Sequence, residues 1–82
     1  MSKVTLVRVK KDIKVKILEV LAGPIATQRL SSLGLRPGVC ITKISTFAMK
    51  GPVTLRVGRA TLALGHGMAE KVWVEADPKA SA

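Results

Sequence analysis

Val53-Thr54-Leu55-Arg56-Val57-Gly58-Arg59-Ala60-Thr61-Leu62-Ala63-Leu64 is the stretch that decides the fold. Val53, Leu55 and Val57 alternate with Thr54 and Arg56, the period of a strand with one buried face. Gly58-Arg59 separates this run from Ala60 to Leu64. Two residues beginning with Gly between two alternating runs predict a type II′ hairpin.

The same period recurs on either side. Ile13, Val15 and Ile17 alternate with Lys14 and Lys16, predicting a strand that continues to about Leu21. Leu18 and Val20 break the alternation and point to a bulge or to burial on both faces. Gly23-Pro24 stops this strand. Arg36-Pro37-Gly38 makes a turn into a strand from Val39 to about Thr46. Phe47, Ala48, Met49, Lys50 and Gly51 form a loop before the hairpin. Gly65 to Glu70 fits a turn or a single helical turn, Lys71 to Glu75 is the last strand, and the segment 77–82 is a frayed tail.

One segment changes period. From Ile25 to Leu33, Ala26, Leu30 and Leu33 are spaced by four and three, so they share a helix face, with Gln28, Arg29 and Ser32 turned outward. Gly34 falls where a helix needs a left-handed C′ residue. Leu35 then occupies C″, placed to touch Leu30 in a Schellman ending. The expected architecture is mainly β: a small five-stranded barrel spanning about Ile13 to Glu75, with one short helix inserted between its first and second strands. Ile17, Leu30, Leu33, Val53, Leu55, Val57, Leu62 and Leu64 are its expected core.

Composition supports one domain. A chain of 82 residues has room for a single compact core. One cysteine, Cys40, permits no internal disulfide. The N-terminal run carries charges too often for a signal-peptide core, and no stretch approaches the roughly 20 apolar residues of a membrane span. The cytoplasm is therefore the expected compartment. The net charge is +9, and Arg29, Arg36, Lys43, Lys50, Arg56 and Arg59 lie in a stretch from Val20 to Ala69 that has no acid at all. A surface so biased attracts anionic partners: nucleic acid, anionic headgroups or an acidic protein face. It would equally keep a small barrel in solution, since no basic run is dense enough to be a motif.

The run from Ile13 to Glu75 resembles the ferrous iron transport protein A family, the FeoA-like SH3-like barrels that accompany a bacterial ferrous iron permease. It is similar also to the C-terminal repeat of iron- and manganese-dependent repressors. Arg29-Leu30-Ser31-Ser32-Leu33-Gly34-Leu35-Arg36-Pro37-Gly38 matches the family's helix-to-turn pattern R-L-x-x-L-G-L-x-P-G. Gly51-Pro52-Val53, Leu62-Ala63-Leu64 and Ala69-Glu70 follow in the family's order. Lys11-Asp12 stands where the family often has Pro-Gly, and Gly58-Arg59 where its hairpin usually places Gly second. The resemblance implies an SH3-like fold and a cytosolic accessory protein that binds and modulates the cytoplasmic part of the permease, meeting the membrane only through it.

Little chemistry is available for catalysis. No phosphate-loop pattern is present, and Gly65-His66-Gly67 lacks the third Gly of a dinucleotide motif. Cys40 with His66 is an implausible nucleophile–base pair, because a mid-strand Cys is commonly a small buried hydrophobe. Cys40, His66 and Glu70 are the only plausible soft or imidazole-bearing set for a metal, with His66 and Glu70 at i, i+4. Closed sites want three or four ligands, and a His between two glycines reads better as an exposed loop residue. No enzyme activity, no resident metal and no cofactor are expected.

A partner surface is the better use of these residues. Within the family motif, Leu30, Leu33, Gly34, Leu35, Pro37 and Gly38 read as architecture, while Gln28, Arg29 and Arg36 face outward. Phe47, Met49 and Lys50 form an apolar, basic-rimmed loop that suits a protein interface or plugs a barrel end. Two alternatives remain: a stand-alone regulatory barrel related to the repressor domain, and a small basic RNA-binding barrel. Phe47 and Trp73 are the only aromatic residues, which leaves almost no stacking platform for single-stranded nucleic acid.

Overall fold

The alternating run Val53–Val57 forms a strand that returns as Ala60–Leu64 through Gly58-Arg59, with Val57 opposite Ala60. Gly58 has a φ of 60° while Arg59 keeps a negative φ, the combination that the first and second central residues of a type II′ turn require. The computed structural model describes residues 2–46 and 51–76. Its elements in chain order are β1 (Ser2–Thr5), a 3-10 turn (Leu6–Arg8), β2 (Lys14–Val20), α1 (Gly23–Ser32), β3 (Cys40–Thr46), β4 (Val53–Val57), β5 (Ala60–Leu64), α2 (His66–Ala69) and β6 (Val72–Ala76).

The strands form one six-stranded antiparallel sheet in the order β1-β6-β2-β3-β4-β5. The expected count was five, and the additional strand is β1. Its four residues include one apolar side chain facing a partner at the far end of the chain, Val4 opposite Val74. So short a run among charges carries no period of its own; pairing with β6 makes it a strand. The helix consequently lies between β2 and β3, after the second strand rather than the first. The anticipated irregularity in β2 is a bulge between Ile17 and Glu19, where the register with β6 shifts.

Ile17, Ile41, Val53, Leu55, Leu64, Val72 and Val74, drawn from five strands, share one buried cluster with Leu6, Val9, Leu30, Leu35 and Ala69. The sheet therefore wraps a single core, with the 3-10 turn and α2 packed on one another beside it. Of the expected core, Ile17, Leu30, Val53, Leu55 and Leu64 are buried, and Val57 and Leu62 are half-buried against it. Leu33 is not core.

One inward position carries a charge. Lys43, only 6% exposed, donates hydrogen bonds from Nζ to the carbonyls of Val7 and Val9, both at 2.9 Å. The Asp12 N–H donates to the Lys43 carbonyl at 2.7 Å. Lys43 thus fastens the N-terminal segment to β3, and desolvation lowers its pKa from the ordinary 10.5. Among the described residues no helix is long and apolar enough to cross a membrane.

Candidate partner-binding surface

α1 is held at one end and bare at the other. Its C-terminal end carries both hydrogen bonds of a Schellman motif: Leu35 N–H to the Leu30 carbonyl at 2.9 Å and Gly34 N–H to the Ser31 carbonyl at 3.0 Å. Gly34, at φ 96°, supplies the left-handed residue that turns the chain back. A Cβ there would stand 3.2 Å from Val57 Cγ1. The reversal sends Leu35 into the core beside Leu30, at 1% and 3% exposure. Leu33 is the C-cap, past the last helical residue, so it remains 49% exposed although its spacing placed it on the buried face. The following turn is tied to β2 by the Gly38 N–H, which donates to the Ile17 carbonyl at 2.8 Å. Pro37 and Gly38 are themselves exposed.

The other end begins at Gly23-Pro24. The pair does end the strand, and Pro24 then sits in the first turn of α1, where its missing N–H leaves no bond unmade. Ala22, Gly23, Pro24, Ile25, Ala26 and Arg29 line an apolar surface hollow of about 330 Å³. Ile25 is 78% exposed on its edge. Leu21 and Leu18 are further exposed large hydrophobic side chains.

Among the sequence candidates, Gln28 and Arg29 lie exposed on α1 and Arg36 exposed just after it. Phe47, Met49 and Lys50 lie outside the described residues. Ile25 escaped the sequence reading, although a signal was present: it sits about 100° round the helix from Ala26, off the shared face.

Two other side chains differ from expectation. Cys40 opens β3 and is exposed, because the strand's inward positions are Ile41 and Lys43. His66 is no free loop residue; it starts α2, half-buried, with Nε2 2.8 Å from Glu70 Oε1. The i, i+4 spacing thus brings these two together, and among the described residues no third donor joins them in a metal-holding group.

Glu19 pairs with Lys3, whose Nζ also lies 5.1 Å from the Trp73 ring centroid, and Glu70 pairs with His66. Among the described residues no carboxylate pairs with Arg29 or Arg36.

A small all-antiparallel sheet around one core, with a helix-to-turn motif on its flank, describes a fold of the SH3-like class. The FeoA domain family model matches residues 4–76, and the chain belongs to that family. An iron uptake regulatory protein (FeoA) of known crystal structure is 32% identical, with 92% of this chain and 97% of that one covered at a TM-score of 0.80. FeoA from Stenotrophomonas maltophilia, a prokaryotic SH3 domain protein solved with zinc, is 23% identical, covering 87% and 88% of the two chains at 0.75. IdeR from T. acidophilum shares the fold at 20% identity, over 94% of this chain and 35% of that one at 0.80. No curated protein matches this sequence.

Proposed function

We propose that this domain is an accessory protein of bacterial ferrous iron uptake that docks on the cytoplasmic part of a ferrous iron permease and modulates transport. Ile25 carries the reading. A large aliphatic side chain 78% exposed beside an apolar hollow is an anchor without a socket, and Arg29, which lines the same hollow, supplies a cation at its edge. Gln28 and Arg36, exposed on α1 and just after it, extend the surface, and Phe47, Met49 and Lys50 extend the set on sequence grounds. The partner that fits is apolar at its centre and acidic around it. A second copy fits poorly, because two chains of charge +9 repel.

The test is binding to the isolated cytoplasmic domain of the permease, together with ferrous uptake in cells. Ile25→Ser should weaken binding and lower uptake while the fold stays intact. Normal uptake with unchanged affinity would remove this surface from the account. A second reading, a regulatory barrel acting on a DNA-binding protein, draws support from the fold shared with IdeR. Capture of a DNA-binding partner by the same surface, with no affinity for the permease, would favour it.

A further inference from the structure

The outer face of the sheet holds a feature that permease docking does not use. Lys14 on β2 stands opposite Thr42 on β3, and Thr42 opposite Arg56 on β4, so the three form one row across three strands. Their chain neighbours Val15, Ile41 and Leu55 point into the core, which places the row on the opposite face. Lys14, Cys40, Thr42, Arg56 and Gly58 line a hollow of about 320 Å³. Adjacent strands lie about 4.8 Å apart, so the two cations start roughly 10 Å from one another across Thr42, a span that long flexible side chains close.

Among the described residues no carboxylate pairs with Lys14 or Arg56. Glu75 opposes Lys16 rather than Lys14, and Asp12, two residues before Lys14 and bonded through its N–H to the Lys43 carbonyl, makes no ion pair with either cation. Two unpaired like charges around one hollow repel each other, and an anion between them relieves that repulsion. Gly58 has no side chain, and the space where a Cβ would stand is open, so the hollow is free on the turn side.

We infer that this hollow binds a phosphate monoester, with Lys14 and Arg56 on the phosphoryl oxygens and the Thr42 hydroxyl donating between them. A phosphate monoester carries about −1.5 to −2 charges near neutral pH and three acceptor oxygens. It can therefore neutralise two cations and still offer an oxygen to a hydroxyl, whereas a carboxylate brings a single charge and two oxygens. Arginine meets phosphate bidentately, and such charge-assisted bonds are the strong ones. The hollow exceeds what a bare ion needs and lies at the small end of the range for small-molecule sites, so the organic part of the ester rests against Cys40 and Gly58.

The experiment is an amide chemical-shift titration of the full chain at constant ionic strength with inorganic phosphate, AMP, adenosine and acetate. Phosphate and AMP should give saturable shifts centred on Lys14, Thr42, Arg56 and Gly58, while adenosine and acetate leave them in place. Lys14→Gln with Arg56→Gln should weaken AMP binding by about tenfold or more, with core signals unmoved. Lys14→Arg, which keeps the charge, should retain it; the single Gln variants give the same comparison if the double variant is unstable. Equal shifts with acetate would reduce the effect to general charge screening and overturn the inference. So would wild-type affinity in the double variant, or an oligonucleotide that binds this face where AMP does not. None of these readouts involves the permease, so the inference stands or falls apart from the docking proposal.

Discussion

The two ends of α1 put the same kind of side chain to opposite uses. At the C-terminal end Leu30 is buried with Leu35 folded back beside it, and the Schellman bonds hold both. At the N-terminal end Ile25 stands in solvent over an apolar hollow. A helix pinned at one end can leave the other bare without unfolding, because its stability comes from the pinned end. Cations divide in the same way. Lys43 is buried on two carbonyls and secures the fold, whereas Arg29 and Arg36 are exposed to solvent. Which residues build and which present is thus decided by whether the position faces the core, not by residue type.

The comparison breaks most readily at the pinned end. Leu30→Ala removes a fully packed side chain and should cost about 2–5 kcal/mol, a large share of a small domain's stability, as read by urea denaturation. A loss below about 0.5 kcal/mol, the range of ordinary surface changes, would mean that α1 does not depend on this contact. Gly34→Val forces a β-branched residue into positive φ, costing about 1–3 kcal/mol, and its Cβ also presses on Val57. Unchanged melting would break the Schellman account.

Lys43→Met leaves the Val7 and Val9 carbonyls without their donor, which should cost about 1–3 kcal/mol at neutral pH. The pH dependence sharpens this. Burial lowers the pKa of Lys43 in the folded chain below 10.5, so between the two values the unfolded chain binds more protons and stability rises with pH. Wild type should therefore gain on the Lys43→Met protein as the solution is taken up through the folded pKa toward 10.5, and run parallel to it at lower pH. Parallel melting curves throughout would show that the burial of this ammonium is not felt. Ile25→Ser, at the bare end, should change stability by no more than about 0.5 kcal/mol.

Much of this was legible before any coordinates. The β4–β5 hairpin, the β2 bulge and the helix stop at Gly34 follow from local period and turn chemistry. Other features are decided by what the local period does not carry. β1 exists through its pairing with β6, at the other end of the chain. Leu33 fits the helical period yet lies past the last helical residue, so Leu35 takes the core place. Lys43 alternates as an inward position, but no local pattern reveals that the carbonyls of Val7 and Val9 wait for its ammonium. The outward-facing Gln28 and Arg29 are readable from helical spacing, whereas the exposure of Ile25 emerges only once the helix is placed.

Binding of this chain to the isolated cytoplasmic domain of the permease, measured by titration calorimetry at two salt concentrations, tests the central claim most directly. Exposed charge pairs contribute at most about 1 kcal/mol each, so Arg29→Glu or Arg36→Glu alone should weaken binding only several-fold, and added salt should weaken it further. Ile25→Ser combined with Arg29→Glu and Arg36→Glu should nearly abolish binding while the protein melts as wild type does. Wild-type affinity in that folded triple variant would contradict the account and place the contact elsewhere on the domain.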